Sequence, residues 1–82
     1  MLEKVNEAIE VTVNFSKQKV MPIQFIWRNK TYHVKKLNLV HKERVGDEKI
    51  YYFSVSDDIN YFRLAFFTHD LSWRIQELYF EG

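Results

Sequence analysis

Cysteine is absent from the 82-residue sequence, so neither a disulfide framework nor a thiolate nucleophile can be built from it. That absence fits a reducing compartment, and a cytoplasmic location is expected. Glycine occurs twice and proline once. This leaves no glycine-rich phosphate cradle and no flexible linker, so a single domain over residues 1–82 is expected. No apolar run reaches the ~20 residues a membrane-spanning helix requires. The opening stretch MLEKVNEAIE carries acids where a secretory signal has a basic start and an apolar core. No membrane partner is expected.

What is present is 46% hydrophobic, 17% aromatic and 28% charged, which places the chain among folded globular domains rather than disordered ones. Its apolar residues alternate. Ile9, Val11, Val13 and Phe15 are interleaved with Glu10, Thr12 and Asn14, the period-two pattern of a half-buried strand. Pro22 opens a second strand, with Ile23, Phe25 and Trp27 on one face. A tight turn at Asn29 and Lys30 sets Trp27 opposite Tyr32 and Phe25 opposite Val34. The apolar phase then flips between Val34 and Leu37, which predicts a β-bulge near Lys35 and Lys36.

A loop at Val45, Gly46 and Asp47 predicts Arg44 against Glu48, Glu43 against Lys49, Leu39 against Phe53 and Leu37 against Val55. A loop over Asp57–Asn60 places Val55 opposite Phe62, Phe53 opposite Leu64 and Tyr51 opposite Phe66. A last turn around Asp70 sets Leu78 opposite Leu64 and Phe80 opposite Phe62. The expected fold is therefore all-β: a meander of about six antiparallel strands, curled into a small SH3-like or half-open barrel. Leu2, Val5 and Ile9 stand at helical spacing, so residues 1–7 are expected to be frayed or to form a short helical lead-in.

Catalytic and metal chemistry finds little footing. His33, His41 and His69 have no paired spacing, and without cysteine a structural zinc site has few donors, so neither a metal nor a cofactor is expected. Adjacent Asp57 and Asp58 resemble a carboxylate pair, but in a hairpin loop they are better turn formers that accept bonds from their own backbone. No serine sits in a nucleophile-elbow context, and a non-enzymatic protein is expected.

Two binding features remain. The segment 28–44 holds six basic side chains and one acidic one. Arg28, Lys30, Lys35, Lys36, Lys42 and Arg44 are thus candidate phosphate contacts, interleaved with Trp27 and Tyr32 in the manner of small barrels that bind nucleic acid. The alternative is that those aromatics are core and the lysines only keep an edge strand from pairing. The registers above also turn Ile26, Val40, Ile50, Tyr52, Phe67, Trp73 and Ile75 outward. Either other parts of the chain cover this set, or Tyr52, Phe67, Trp73 and Ile75 form an interface for a protein partner or a second copy in a homodimer.

The order of elements, AIEVTVNF, PIQFIWRNKTYHVKKL, KIYYFSVSDDINYFRLAFF and SWRIQELYF, resembles a family of small uncharacterised bacterial domains of unknown function. Their pattern is an IEV-type strand, then P-x-x-F-x-W-R-x-x-x-Y-x-V, a tyrosine-rich hairpin and a closing strand beginning W-R. Pro22, Phe25, Trp27, Arg28, Tyr32, Val34, Trp73 and Arg74 carry that resemblance, which runs from about Ala8 to Phe80. The chain departs from the pattern at Leu39, Val40 and His41, where the family commonly has a tryptophan, and at Asn29 and Lys30, where it has glycine. Some members are encoded beside, or joined to, Y-family DNA polymerases. The resemblance therefore implies an accessory role in handling DNA, and it brings no catalytic residue or cofactor.

Overall fold

A computed structural model of the chain describes residues 1–80. Seven strands, β1 (Leu2–Ser16), β2 (Lys19–Trp27), β3 (Lys30–His33), β4 (Lys36–Val45), β5 (Glu48–Ser56), β6 (Asn60–Phe67) and β7 (Ser72–Phe80), form one antiparallel sheet in the order β3-β2-β1-β7-β6-β5-β4. The expected all-β architecture is correct, with seven strands rather than about six. Consecutive strands pair except β3 and β4, which are the two edges of the sheet. The sheet curls but does not close.

Two long paths change partners midway, and this produces the curl. β1 pairs with β7 through Leu2–Ile9 and with β2 through Glu10–Ser16. The path from Lys30 to Val45 pairs with β2 as β3, then with β5 as β4. At the crossing, the Val34 N–H donates to the Ile23 carbonyl at 3.0 Å and the Lys35 N–H to the Ser56 carbonyl at 2.8 Å. The barrel is stitched there and open beyond.

Residues 1–7 contain no helix. Leu2 is exposed while Val5 packs against the core, and the irregularity between Lys4 and Glu7 changes the phase between them. That is what gives Leu2, Val5 and Ile9 a helical spacing. Asn6 takes a positive φ of 54° at the bulge, and the Arg74 guanidinium holds it, donating to the Asn6 side-chain oxygen at 2.9 Å and its carbonyl at 2.6 Å.

The core gathers Phe25, Trp27, Phe53, Val55, Phe62, Leu64, Phe66, Trp73 and Ile75. Burying each such side chain contributes about 1.5–3 kcal/mol. The aromatic members interlock: Phe25 stacks on Tyr32 at 5.1 Å, Phe62 meets Phe25 edge-on at 5.0 Å, and Phe66 stacks on Trp73 at 4.7 Å.

The β5–β6 register is the expected one, with Val55 opposite Phe62, Phe53 opposite Leu64 and Tyr51 opposite Phe66. Asp57 fixes it, its Oδ1 accepting from the Ile59 and Asn60 N–H groups at 2.8 and 2.7 Å. Elsewhere single-residue irregularities shift the expectations. The β2–β3 turn is Arg28–Asn29, both at positive φ, so Tyr32 lies opposite Phe25 rather than Trp27. The β1–β2 register shifts beside Pro22, which buries the proline and leaves Ile23 exposed. Pro22 thus stands within β2 next to an irregularity, where a missing N–H is tolerated.

In β4 the irregularity expected near Lys35 and Lys36 falls at the partner exchange and again at Asn38, between Leu37 and Leu39. Leu37 opposes Val55 as expected, but Val40 rather than Leu39 opposes Phe53. The turn is Gly46–Asp47, with Val45 opposite Glu48, so Arg44 faces Lys49 and the two expected charge pairs do not form. On β7, Leu78 opposes Phe62 and Phe80 opposes Asn60, while Ile75 opposes Leu64.

Candidate binding surfaces

Stopping the sheet at β3 and β4 leaves a seam. β3 reaches along β2 only from Gln24 to Trp27, so the Lys19–Met21 part of β2 faces β4 across a gap instead of across a ladder. The gap is a groove of about 380 Å³ lined by Gln18, Lys19, Val20, Met21, Leu37, Val40, Lys42, Tyr51 and Phe53. Its floor is apolar because Phe53 and Tyr51 of β5 and Leu37 and Val40 of β4 turn inward at this point. Its lips are basic. Lys42 lines the groove from β4 and reaches over the Tyr51 ring, 5.5 Å from the ring centre, a cation–π contact. Lys19 stands on the opposite lip.

The six basic residues singled out in the sequence do not form one patch. Arg28 is committed: its Nε and Nη2 donate to Glu7 at 3.0 and 2.6 Å, and it lies over the Trp27 ring at 4.6 Å. Lys30 packs over the Tyr32 ring at 5.1 Å, and Lys30 and Lys35 line a hollow shared with Asp57 and Asp58. Those carboxylates offset the potential a phosphate would meet. Lys36 begins β4 opposite Ser56, and Arg44 sits near its far end opposite Lys49. Lys42 alone of the six lines the groove, where its companion is Lys19, a residue not singled out. Trp27 is buried in the core, and Tyr32 packs against it, stacked on Phe25 with Lys30 over its ring.

Glu7 organises the closed end. Its Oε1 accepts from the indole N–H of buried Trp27 at 2.8 Å, supplying the partner a buried indole needs. Hydrogen bonds from Arg28 first, then from Trp27, hold its carboxyl below the usual glutamate range. At the β6–β7 turn, bonds from the Ser72 hydroxyl and N–H lower the Asp70 carboxyl in the same way.

The expected apolar interface is corrected at two of its four residues. Trp73 is 9% exposed and Ile75 0% exposed, both within the core. Their faces reverse because the β6–β7 register shifts between Arg63 and Leu64, with Gln76 as the extra residue. Ile50 is buried as well. Tyr52 and Phe67 are half-buried, and Tyr52 lies between the His41 ring at 6.0 Å and the Arg63 guanidinium at 4.6 Å. Arg63 in turn lines an outer hollow of about 320 Å³ with Tyr61, Glu77 and Tyr79, and its buried Nε has no hydrogen-bond partner.

Among the described residues, no three or more His, Asp or Glu side chains gather as a metal site, and no helix is long and apolar enough to cross a membrane. No protein-family model matches the chain, and neither a curated protein nor a solved structure matches it.

Proposed function

We propose that this chain is a non-catalytic binding module and that the open seam holds an extended anionic chain. The observation that carries the reading is the placement of Lys19 and Lys42 on opposite lips of an apolar groove. A groove of this kind offers opposite charge to an anionic backbone and apolar contact to the groups that backbone carries. This keeps the expectation of an anionic partner, nucleic acid among them, and moves its site from the segment 28–44 to the space between β2 and β4. The half-buried Tyr51 ring beneath Lys42 is the aromatic surface within reach of such a ligand.

The test is a fluorescence titration with labelled oligothymidylate and labelled polyglutamate at low and moderate salt. Binding is expected to weaken as salt rises. The double variant Lys19→Glu/Lys42→Glu should abolish it, whereas Lys30→Glu/Lys35→Glu, beside Asp57 and Asp58, should leave it nearly unchanged. Equal loss in the two double variants would place the site elsewhere.

A further inference from the structure

We infer that the seam accepts a β-strand: an acidic, extended segment of a partner protein pairs along the free edge of β4. This rests on reading the seam as the binding site, and it names the partner's chemistry.

The first argument is hydrogen bonding. β4 is ten residues long and its ladder is with β5. In an antiparallel ladder alternate residues turn their N–H and C=O groups away from the partner, so one side of β4 presents a row of donors and acceptors at strand spacing. Across the gap, the start of β2 includes Pro22, which has no N–H to contribute to a ladder there. A polypeptide strand matches the row on β4; a nucleic-acid backbone carries no such repeat.

The second argument is the floor. A strand laid on β4 places every second side chain inward, over Val40 and the Phe53–Tyr51 surface. Val40 is 42% exposed although it stands opposite Phe53, which is 1% exposed. An inward valine or isoleucine of a guest strand would cover it. From Leu37 to Lys42 the path is ~17 Å, a footprint for a segment of about six residues.

Charge then chooses among strands. β4 carries Lys36, Lys42 and Arg44 against one acid, Glu43, and Lys19 faces it across the groove. A second copy of β4 would bring like charges together, the usual defence of an edge against its own kind. A strand with an acidic side chain two residues from an apolar one satisfies Lys42 and Val40 together. Lys19 and Lys42 are also the only cations among the described residues that line the groove, few for a ligand bound through a run of phosphates.

The test uses an acetylated, amidated octapeptide, Thr-Val-Thr-Glu-Thr-Val-Thr-Glu, two versions of it N-methylated at alternate residues on one edge or the other, and oligothymidylate as the rival probe. Calorimetry is expected to show binding of the parent peptide, loss of ~tenfold or more in affinity for at least one methylated version, and a loss of similar size for Lys42→Glu. Amide exchange should slow along β4 in the complex. Equal binding of all three peptides would overturn strand pairing while leaving the anionic-chain reading intact, because side-chain charge alone would then explain affinity. Binding of oligothymidylate with none of the peptides would do the same in favour of nucleic acid. If neither kind of probe bound at low salt, both readings would fall.

Discussion

Glu7 links three parts of the chain through one carboxylate: its own bulge in β1, the buried Trp27 indole and the Arg28 turn. Because its folded pKa is lowered, its contribution to stability is fully present above the unfolded glutamate value, near 4.5, and fades as pH falls through the lower folded value. The melting temperature of the wild type should therefore drop on acidification below about pH 4.5, and Glu7→Gln should flatten part of that drop. Thermal scans from neutral to acid pH, with the indole N–H proton of Trp27 followed by NMR, would check this. An identical acid profile in Glu7→Gln would remove Glu7 from the account.

Burial sorts the apolar residues sharply. Ile75 and Leu64 face each other at the centre of the core with no exposed surface, so Ile75→Ala should cost about 2–5 kcal/mol by urea unfolding. Leu39, 62% exposed on β4, should change stability by less than about 0.5 kcal/mol when replaced by alanine. The sequence alone points the other way, with Leu39 in the core and Ile75 outside. Both errors have one source: alternation assigns faces correctly only until an extra residue enters a strand, and Asn38 and Gln76 are such residues.

At the scale of elements, the turns decide how much register is legible. The β5–β6 hairpin was readable because Asp57 accepts two backbone N–H groups and closes its loop in a way the residue type advertises. The β2–β3 hairpin was not, because its left-handed turn begins at Arg28, a residue type that seldom adopts positive φ. Arg28 is held there by Glu7, which is distant in sequence. The β1–β2 turn has the same character, with Lys17 and Gln18 at φ of 52° and 65°.

Replacing Lys17–Gln18 by Asn-Gly, which suits two successive left-handed positions, should stabilise the fold by about 0.5–1 kcal/mol. Gly46 lies at φ +62° with open space around a would-be Cβ, so Gly46→Ala meets no clash and should cost about 1 kcal/mol through backbone strain alone. Denaturant melts of both variants check the pair. A neutral Gly46→Ala would mean that the turn relaxes out of the left-handed region.

At the scale of the whole molecule, the seam follows from topology rather than from any single motif. The all-β class, the single core and most of its members were readable from alternation and turn chemistry. The pairing of β1 with β7 was not, and it is this pairing that turns a meander into a curled sheet whose free edges are β3 and β4. Lys19 and Lys42 become neighbours across a groove through that closure, though no local pattern in the sequence joins them. The basic segment 28–44 is one feature only along the chain; folding places Arg28 in a salt bridge, Lys30 and Lys35 in a hollow with Asp57 and Asp58, Lys42 at the seam, and Lys36 and Arg44 towards the two ends of β4.

The measurement that tests the central claim most directly is an amide NMR titration of the full chain with the acidic octapeptide and, separately, with oligothymidylate. If the seam is the binding site, shifts should concentrate on Lys19–Met21, Leu37–Lys42 and Tyr51, and leave Lys30, Lys35, Tyr61 and Tyr79 still. Shifts centred instead on the hollow of Lys30 and Lys35, or on the outer face around Arg63, Tyr61 and Tyr79, would contradict it.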